Sequence, residues 1–197
     1  MNLISNKEIL IFQAIPNDRL NTWLGYSLIV VLGSCLVAVS SKVQVPFYPV
    51  PMTLQTMTVL MLGMALGWRL AGATILLYLV EGALGLPVFA GTPLKGVGLV
   101  YMLGTTGGYL FGFLIAATVC GWLAERGWGQ NFVATAGCMV VGNLVIYLFG
   151  ISWLGMVVGW DKPLLEWGVL PFLWGDLLKI TLAAITMPLA WKLIAKR

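Results

Sequence analysis

The sequence predicts an all-α integral membrane protein of six transmembrane helices with both termini cytoplasmic. Three observations lead there. Only 9 % of the 197 residues are charged and 60 % are hydrophobic, whereas a soluble domain carries about 25 % charged residues. With a mean hydropathy of +0.96, the chain has too little charge to cover a soluble core. Apolar stretches over 23–42, 53–66, 69–86, 107–124, 132–159 and 169–193 alternate with Gly, Pro and charged punctuation, and six crossings of about 20 residues fit the length. Finally, the basic residues are unevenly shared between alternate connections. Lys7, Arg19, Arg69, Arg126, Lys192, Lys196 and Arg197 fall on one side, against Lys42, Lys95 and Lys162 on the other, which orients the first side to the cytoplasm.

The first 20 residues lack the basic start, apolar run and small-residue cleavage site of a signal peptide. Residues 1–22 are therefore expected to be retained as a cytoplasmic or interfacial segment, with a short amphipathic helix over 8–15. Residues 23–197 are read as one six-helix domain. The first span carries a small-residue strip, Ser34 and Ala38 with Gly33 adjacent. Such a strip admits another helix closely, either within the fold or from a partner subunit.

The second span is short and follows Pro46, Pro49 and Pro51, which favour an extended approach over a helical one. Gln55, just after that approach, is a candidate ligand contact. The third span carries the intramembrane acid Glu81 near its outer end. It is an interfacial carboxylate, a group near a pocket, or a partner for Lys42. In the long loop 87–106, Lys95 is either solvated or helps to draw in an anion.

Gly104-Thr105-Thr106-Gly107-Gly108-Tyr109 opens the fourth span. Free N–H groups at such a helix start suit an anion, but the GK[ST] ending of a phosphate loop is missing, and close helix packing explains the glycines equally well. The fifth span is long enough to tilt or overshoot, and its Asn143 is expected to hydrogen-bond across helices. Trp68, Trp122, Trp128, Trp160 and Trp167 lie near span ends as an interfacial belt.

The sixth span holds the feature that points to function, Asp176 and Lys179. A charge within a membrane helix costs a few kcal/mol and is usually functional, and three residues apart the two side chains share one face. One reading is a salt bridge that locks the last helix. The other is half of a binding site, with Gly175 letting a ligand approach the backbone and Trp174 offering an indole to its apolar body. Aspartate accepts from N–H donors such as those of a cyclic urea, and lysine receives a carboxylate.

Several function classes fall away. The net charge of +4 is scattered rather than striped, so it reads as topology and not as a nucleic-acid surface. The chain has no histidine, which removes the commonest general base and metal ligand. Cys35, Cys120 and Cys138 have no paired spacing and are read as small core residues. An aspartyl mechanism needs two facing carboxylates, and only Glu81 is available to join Asp176. No enzyme activity, metal or cofactor is expected.

Four motifs stand in order along the chain: Val45-Pro46-Phe47-Tyr48-Pro49-Val50-Pro51-Met52-Thr53-Leu54-Gln55-Thr56, Gly85-Leu86-Pro87-Val88-Phe89-Ala90-Gly91, the 104–109 run, and Pro171-Phe172-Leu173-Trp174-Gly175-Asp176-Leu177-Leu178-Lys179. Together they resemble the BioY family, the biotin-specific S components of energy-coupling-factor (ECF) vitamin transporters. The resemblance covers about residues 25–195. It implies an S-component-like bundle in the cell membrane, with a biotin pocket near the outer face, capped by loops. On that resemblance Asp176 accepts from the ureido ring and Lys179 engages the valerate carboxylate or holds Asp176. Gln55, Tyr109, Gly175 and Glu81 complete the expected ligand-binding set. Gly33, Ser34 and Ala38 would meet a transmembrane coupling subunit that works with two cytoplasmic ATPases, and the S component would topple to carry biotin inward. The loop Thr92-Pro93-Leu94-Lys95-Gly96-Val97-Gly98 departs from the family's short Gly-rich stretch, so no loop contact is transferred to it. The alternative is a proton-coupled carrier acting alone on a small carboxylate or vitamin, with Asp176 and Lys179 as a charge relay.

Overall fold

A computed structural model describes residues 9–11, 23–94 and 96–194. Of the helix expected over 8–15 only 9–11 is described, and Lys7, Arg19, Lys95, Lys196 and Arg197 lie outside the described residues. The chain runs from α1 (Trp23–Lys42) through a two-stranded hairpin, β1 (Gln44–Val45) and β2 (Met52–Thr53), into a helical stretch Gln55–Ala83. Then follow α4 (Gly98–Met102), α5 (Gly107–Ala124), α6 (Phe132–Val158), α7 (Leu164–Gly168), a 3-10 turn Leu170–Phe172 and α8 (Leu173–Ile194).

Five helical stretches among the described residues are long and apolar enough to cross a membrane. The Gln55–Ala83 stretch supplies two crossings, because its backbone breaks at Gly67 (φ 75°, ψ 170°). In a straight helix the 23 residues between Gln55 and Tyr78 would separate them by about 34 Å, yet Gln55 Nε2 donates to Tyr78 Oη at 2.7 Å. Gly63 and Gly72 likewise approach consecutive residues of α5, Ala117 and Thr118. The stretch therefore folds back on itself as α2 (residues 55–66) and α3 (68–83), which makes six crossings.

The spans agree with the apolar stretches, with differences at three ends. The second starts at 55 because Met52 and Thr53 pair with Val45 and Gln44 in the hairpin. The third ends at Ala83, followed by Gly85 at a φ of 95°. The last gains a 3-10 turn at Pro171, and the five-residue α4 and α7 are too short to show a period.

The two ends of the bundle differ. At one end Ile9 is buried against the Gly67 bend, and Trp68 N donates to Glu125 Oε1 at 3.4 Å. Arg69 and Arg126 lie over the rings of Trp68 and Trp122 there. At the other end lie the hairpin, the 84–106 connection and the 159–172 connection.

Membrane helices gain nothing by hiding leucine from lipid, so small and polar residues govern their contacts. On α1 the buried residues are Gly33, Ser34, Val37, Ser40 and Ser41, while Leu28, Leu32, Leu36 and Val39 point outward. A Cβ on Gly33 would stand 2.7 Å from Thr74 Cγ2 of α3. Gly33 and Ser34 thus meet a helix within the fold, and α3 covers them from any partner subunit. Ala38 is half-buried beside them. Cys120 and Cys138 are buried neighbours, but Cys35 is exposed on α1 and is not a core residue.

The conformation at Gly67 is open almost only to glycine. Gly67→Ala is expected to lower stability by about 1–3 kcal/mol, read by thermal melting in detergent. Gly72→Ala, in regular helix, serves as control, and equal melting of the two variants would detach the bend from the glycine.

Candidate functional site

Asp176 falls in the first turn of α8, where the helix dipole favours a negative charge. Lys179 follows three residues on, and its Nζ lies 3.1 Å from Asp176 Oδ1. Both are buried, with 5 % and 8 % of their surface exposed. Two other helices complete the cluster. From α2, Thr56 Oγ1 accepts from Lys179 Nζ at 2.9 Å, and from α6, Tyr147 Oη donates to Asp176 Oδ2. The charges cancel and are hydrogen-bonded, the condition under which a buried ion pair is tolerable.

These groups form the floor of a half-open cavity. Tyr109, Phe113, Ile146 and Phe172 give it apolar walls, and Val50, Pro51, Met52 and Ala90 roof it. Phe172 stacks on Tyr147 at 6.5 Å between centroids and meets the edge of Tyr109. Tyr109 Oη donates to Gly168 O at 2.9 Å, tying α5 to α7.

The roof is fastened from two sides. Val88 O accepts from Ser41 Oγ at 2.8 Å and from Tyr78 Oη at 3.3 Å. Lys42 Nζ donates to Pro87 O and Phe89 O at 2.6 and 2.9 Å. The 43–53 segment is held by Thr105 Oγ1, which donates to Pro49 O at 3.1 Å, and by Met52, whose sulfur rests on Gly175. A Cβ at Gly175 would overlap that sulfur.

Of the residues expected from sequence, Asp176, Lys179, Gln55 and Tyr109 line this one cavity. Gln55 reaches it while donating to Tyr78. Gly175 is not among the lining residues and instead makes room for Met52. Glu81 is also apart from the cavity and does not pair with Lys42: its two oxygens lie 2.9 and 2.7 Å from Ser34 Oγ. Trp174 points away, 81 % exposed, because the face opposite Asp176 on α8 looks to the membrane.

Sequence reasoning did not single out Tyr147, Thr56 or Phe172. The one signal for Tyr147 was a phenol deep in an apolar span, a group that needs a partner when buried. The arrangement offers an acceptor, an ammonium and flat apolar walls, with no paired carboxylates and no nucleophile–base pair. That is equipment for binding.

The BioY family pattern matches residues 18–196. The chain belongs to the BioY family. It is 41 % identical over 157 residues to a probable biotin transporter BioY of Pyrococcus horikoshii, covering 80 % of this chain and 90 % of that one. It is 37 % identical over 152 residues to the biotin transporter BioY of Thermotoga maritima, covering 77 % and 87 %. Among solved structures, the S-component for biotin from an ECF-type ABC transporter superposes with a TM-score of 0.75 over 91 % of this chain and 95 % of that one, at 23 % identity. That likeness establishes the six-helix S-component fold for this BioY-family chain.

Removing one member of the buried pair leaves the other uncompensated, at a cost of about 3–5 kcal/mol. Asp176→Leu or Lys179→Met alone is expected to depress the melting temperature more than the two together. Additive losses would show that the pair is not coupled.

Proposed function

We propose that this chain is the membrane-embedded biotin-binding subunit of a vitamin uptake transporter, and not an enzyme. The observation that carries the reading is the neutralised Asp176–Lys179 pair on the floor of a small apolar cavity, in a family whose members are named biotin transporters. Biotin matches the chemistry of the site. Its cyclic urea offers N–H donors to Asp176 and a carbonyl oxygen to Lys179 or Tyr147, its bicyclic body suits Tyr109 and Phe172, and its carboxylate chain extends toward the roof or is held by Lys179. Gln55 contributes through the polar rim it shares with Thr53. Gly175 and Glu81 act at one remove, by seating Met52 and by anchoring α3 to Ser34.

The cavity end faces outward in this reading, supported by the seven-to-three share of basic residues in the sequence. The chain then captures biotin outside a cell membrane and releases it inward with ECF partners, a transmembrane coupling subunit and two cytoplasmic ATPases. On α1 the surface left for such a partner is the exposed face of Leu28, Leu32, Cys35, Leu36 and Val39, alongside half-buried Ala38. A proton-coupled carrier acting alone is not favoured, since the fold is that of a component built to work with an energising module.

Equilibrium titration of purified protein in detergent with biotin tests the assignment. Submicromolar binding by the parent is expected, weakened tenfold or more, about 1.4 kcal/mol, by Asp176→Asn or Lys179→Ala. A well-folded parent that ignores biotin would sink it.

A further inference from the structure

Asn143 stands on the inward stripe of α6, directly below Ile146 and Tyr147, with 7 % of its surface exposed. Its Oδ1 has no hydrogen-bond partner among the described residues. The cross-helix bond expected of this residue is therefore unmade at that atom, and an unpaired buried acceptor is a standing free-energy cost.

Two contacts fix its level. Tyr147, four residues nearer the cavity, reaches Asp176 of the antiparallel α8. Gly142, its chain neighbour, packs against Leu60 of α2, four residues below Thr56. Asn143 thus lies one turn, about 6 Å, beneath the Asp176–Lys179–Thr56–Tyr147 cluster. Lys179 is itself three residues below Asp176 and only reaches up to it along its flexible four-carbon stem. An ammonium has three donors, of which Thr56 and Asp176 take two.

Both oxygens of Asp176 already accept a donor, one from Lys179 and one from Tyr147. A carboxylate has about four acceptor sites, so a ligand N–H that arrives at Oδ1 shares that oxygen with the ammonium and weakens its hold there. We infer that Asn143 is the second seat of the Lys179 ammonium, which moves from Asp176 to Asn143 Oδ1 when the ligand's N–H donors occupy the carboxylate. Thr56 serves as the pivot. The ammonium stays hydrogen-bonded in both states, so ligand binding does not strand a charge inside the membrane. Asn143 is a positioning residue that acts through Lys179, and the inference rests on the biotin reading above.

A double-mutant cycle on the full chain in detergent tests this. Biotin affinity is measured for the parent, Asn143→Leu, Lys179→Met and the double variant, with titrations carried to high biotin and paired with ligand-induced thermal shifts so that weak binders still register. Asn143→Leu is expected to weaken binding about tenfold in the parent and by less than twofold when Lys179 is already Met. Without ligand it should melt at or above the parent, because it removes an unpaired acceptor. Equal losses in both backgrounds, or no loss in either, would overturn the inference while leaving biotin binding intact. A parent that does not bind biotin would overturn the ligand assignment and this inference with it, and the two failures are told apart by the parent titration alone.

Discussion

A negative and a positive charge placed inside a lipid-facing bundle must find each other and every available hydrogen-bond partner, since lipid supplies none. Asp176 and Lys179 do so three residues apart on α8, and neither is satisfied by the other alone. Thr56 must come from α2 and Tyr147 from α6. The pair therefore dictates which helices converge and at what depth. The cavity is the space left above that convergence, and its position near one end of the bundle follows from Asp176 lying in the first turn of its helix.

The roof over this space depends on groups that would look unrelated along the chain. Ser41 and Lys42 at the end of α1 and Tyr78 in α3 hold three successive carbonyls, those of Pro87, Val88 and Phe89. The buried small residues of α1 bring that helix close enough to α3 for this to happen. Ser34 and Glu81 belong to the same scaffold. Their polar contact secures the helix that fastens the roof, which gives an intramembrane acid a purpose without placing it in the cavity. On the opposite side, Gly175 accepts Met52 where any side chain would push the hairpin away.

Such a site binds and does not transform. Its two charges neutralise one another, its hydroxyls are committed to neighbours, and its walls are aromatic and aliphatic. Selectivity then comes from the few polar groups on the floor, and the work of moving a ligand across the membrane is left to partners in the proposed uptake system. A small rearrangement of Lys179 is compatible with such a design, because the same ammonium keeps a hydrogen bond in either position.

By itself the sequence determined the membrane class, the six crossings and the weight carried by α8. Charge content and apolar length answer to the bilayer whatever the packing, and a spacing of three puts Asp176 and Lys179 on one helical face in any fold. Gln55, from its place just after the Pro-rich approach, and Tyr109, from the family resemblance, were likewise expected near the ligand, and both line the cavity. Only the tertiary structure decided that Gly67 reverses the chain between α2 and α3, and that Tyr147, Thr56 and Phe172 meet the charged pair. It also decided that Trp174 faces outward, that Glu81 answers to Ser34, and that Gly33 and Ser34 are spent inside the fold. The physical reason is common to all of these. Periodicity in a chain tells which residues share a face of one helix, whereas the partner of that face is set by how helices distant in sequence cross and how deep each one sits. In an almost wholly apolar sequence nearly every face is hydrophobic, so hydropathy alone does not distinguish the side turned to lipid from the side turned to the cavity.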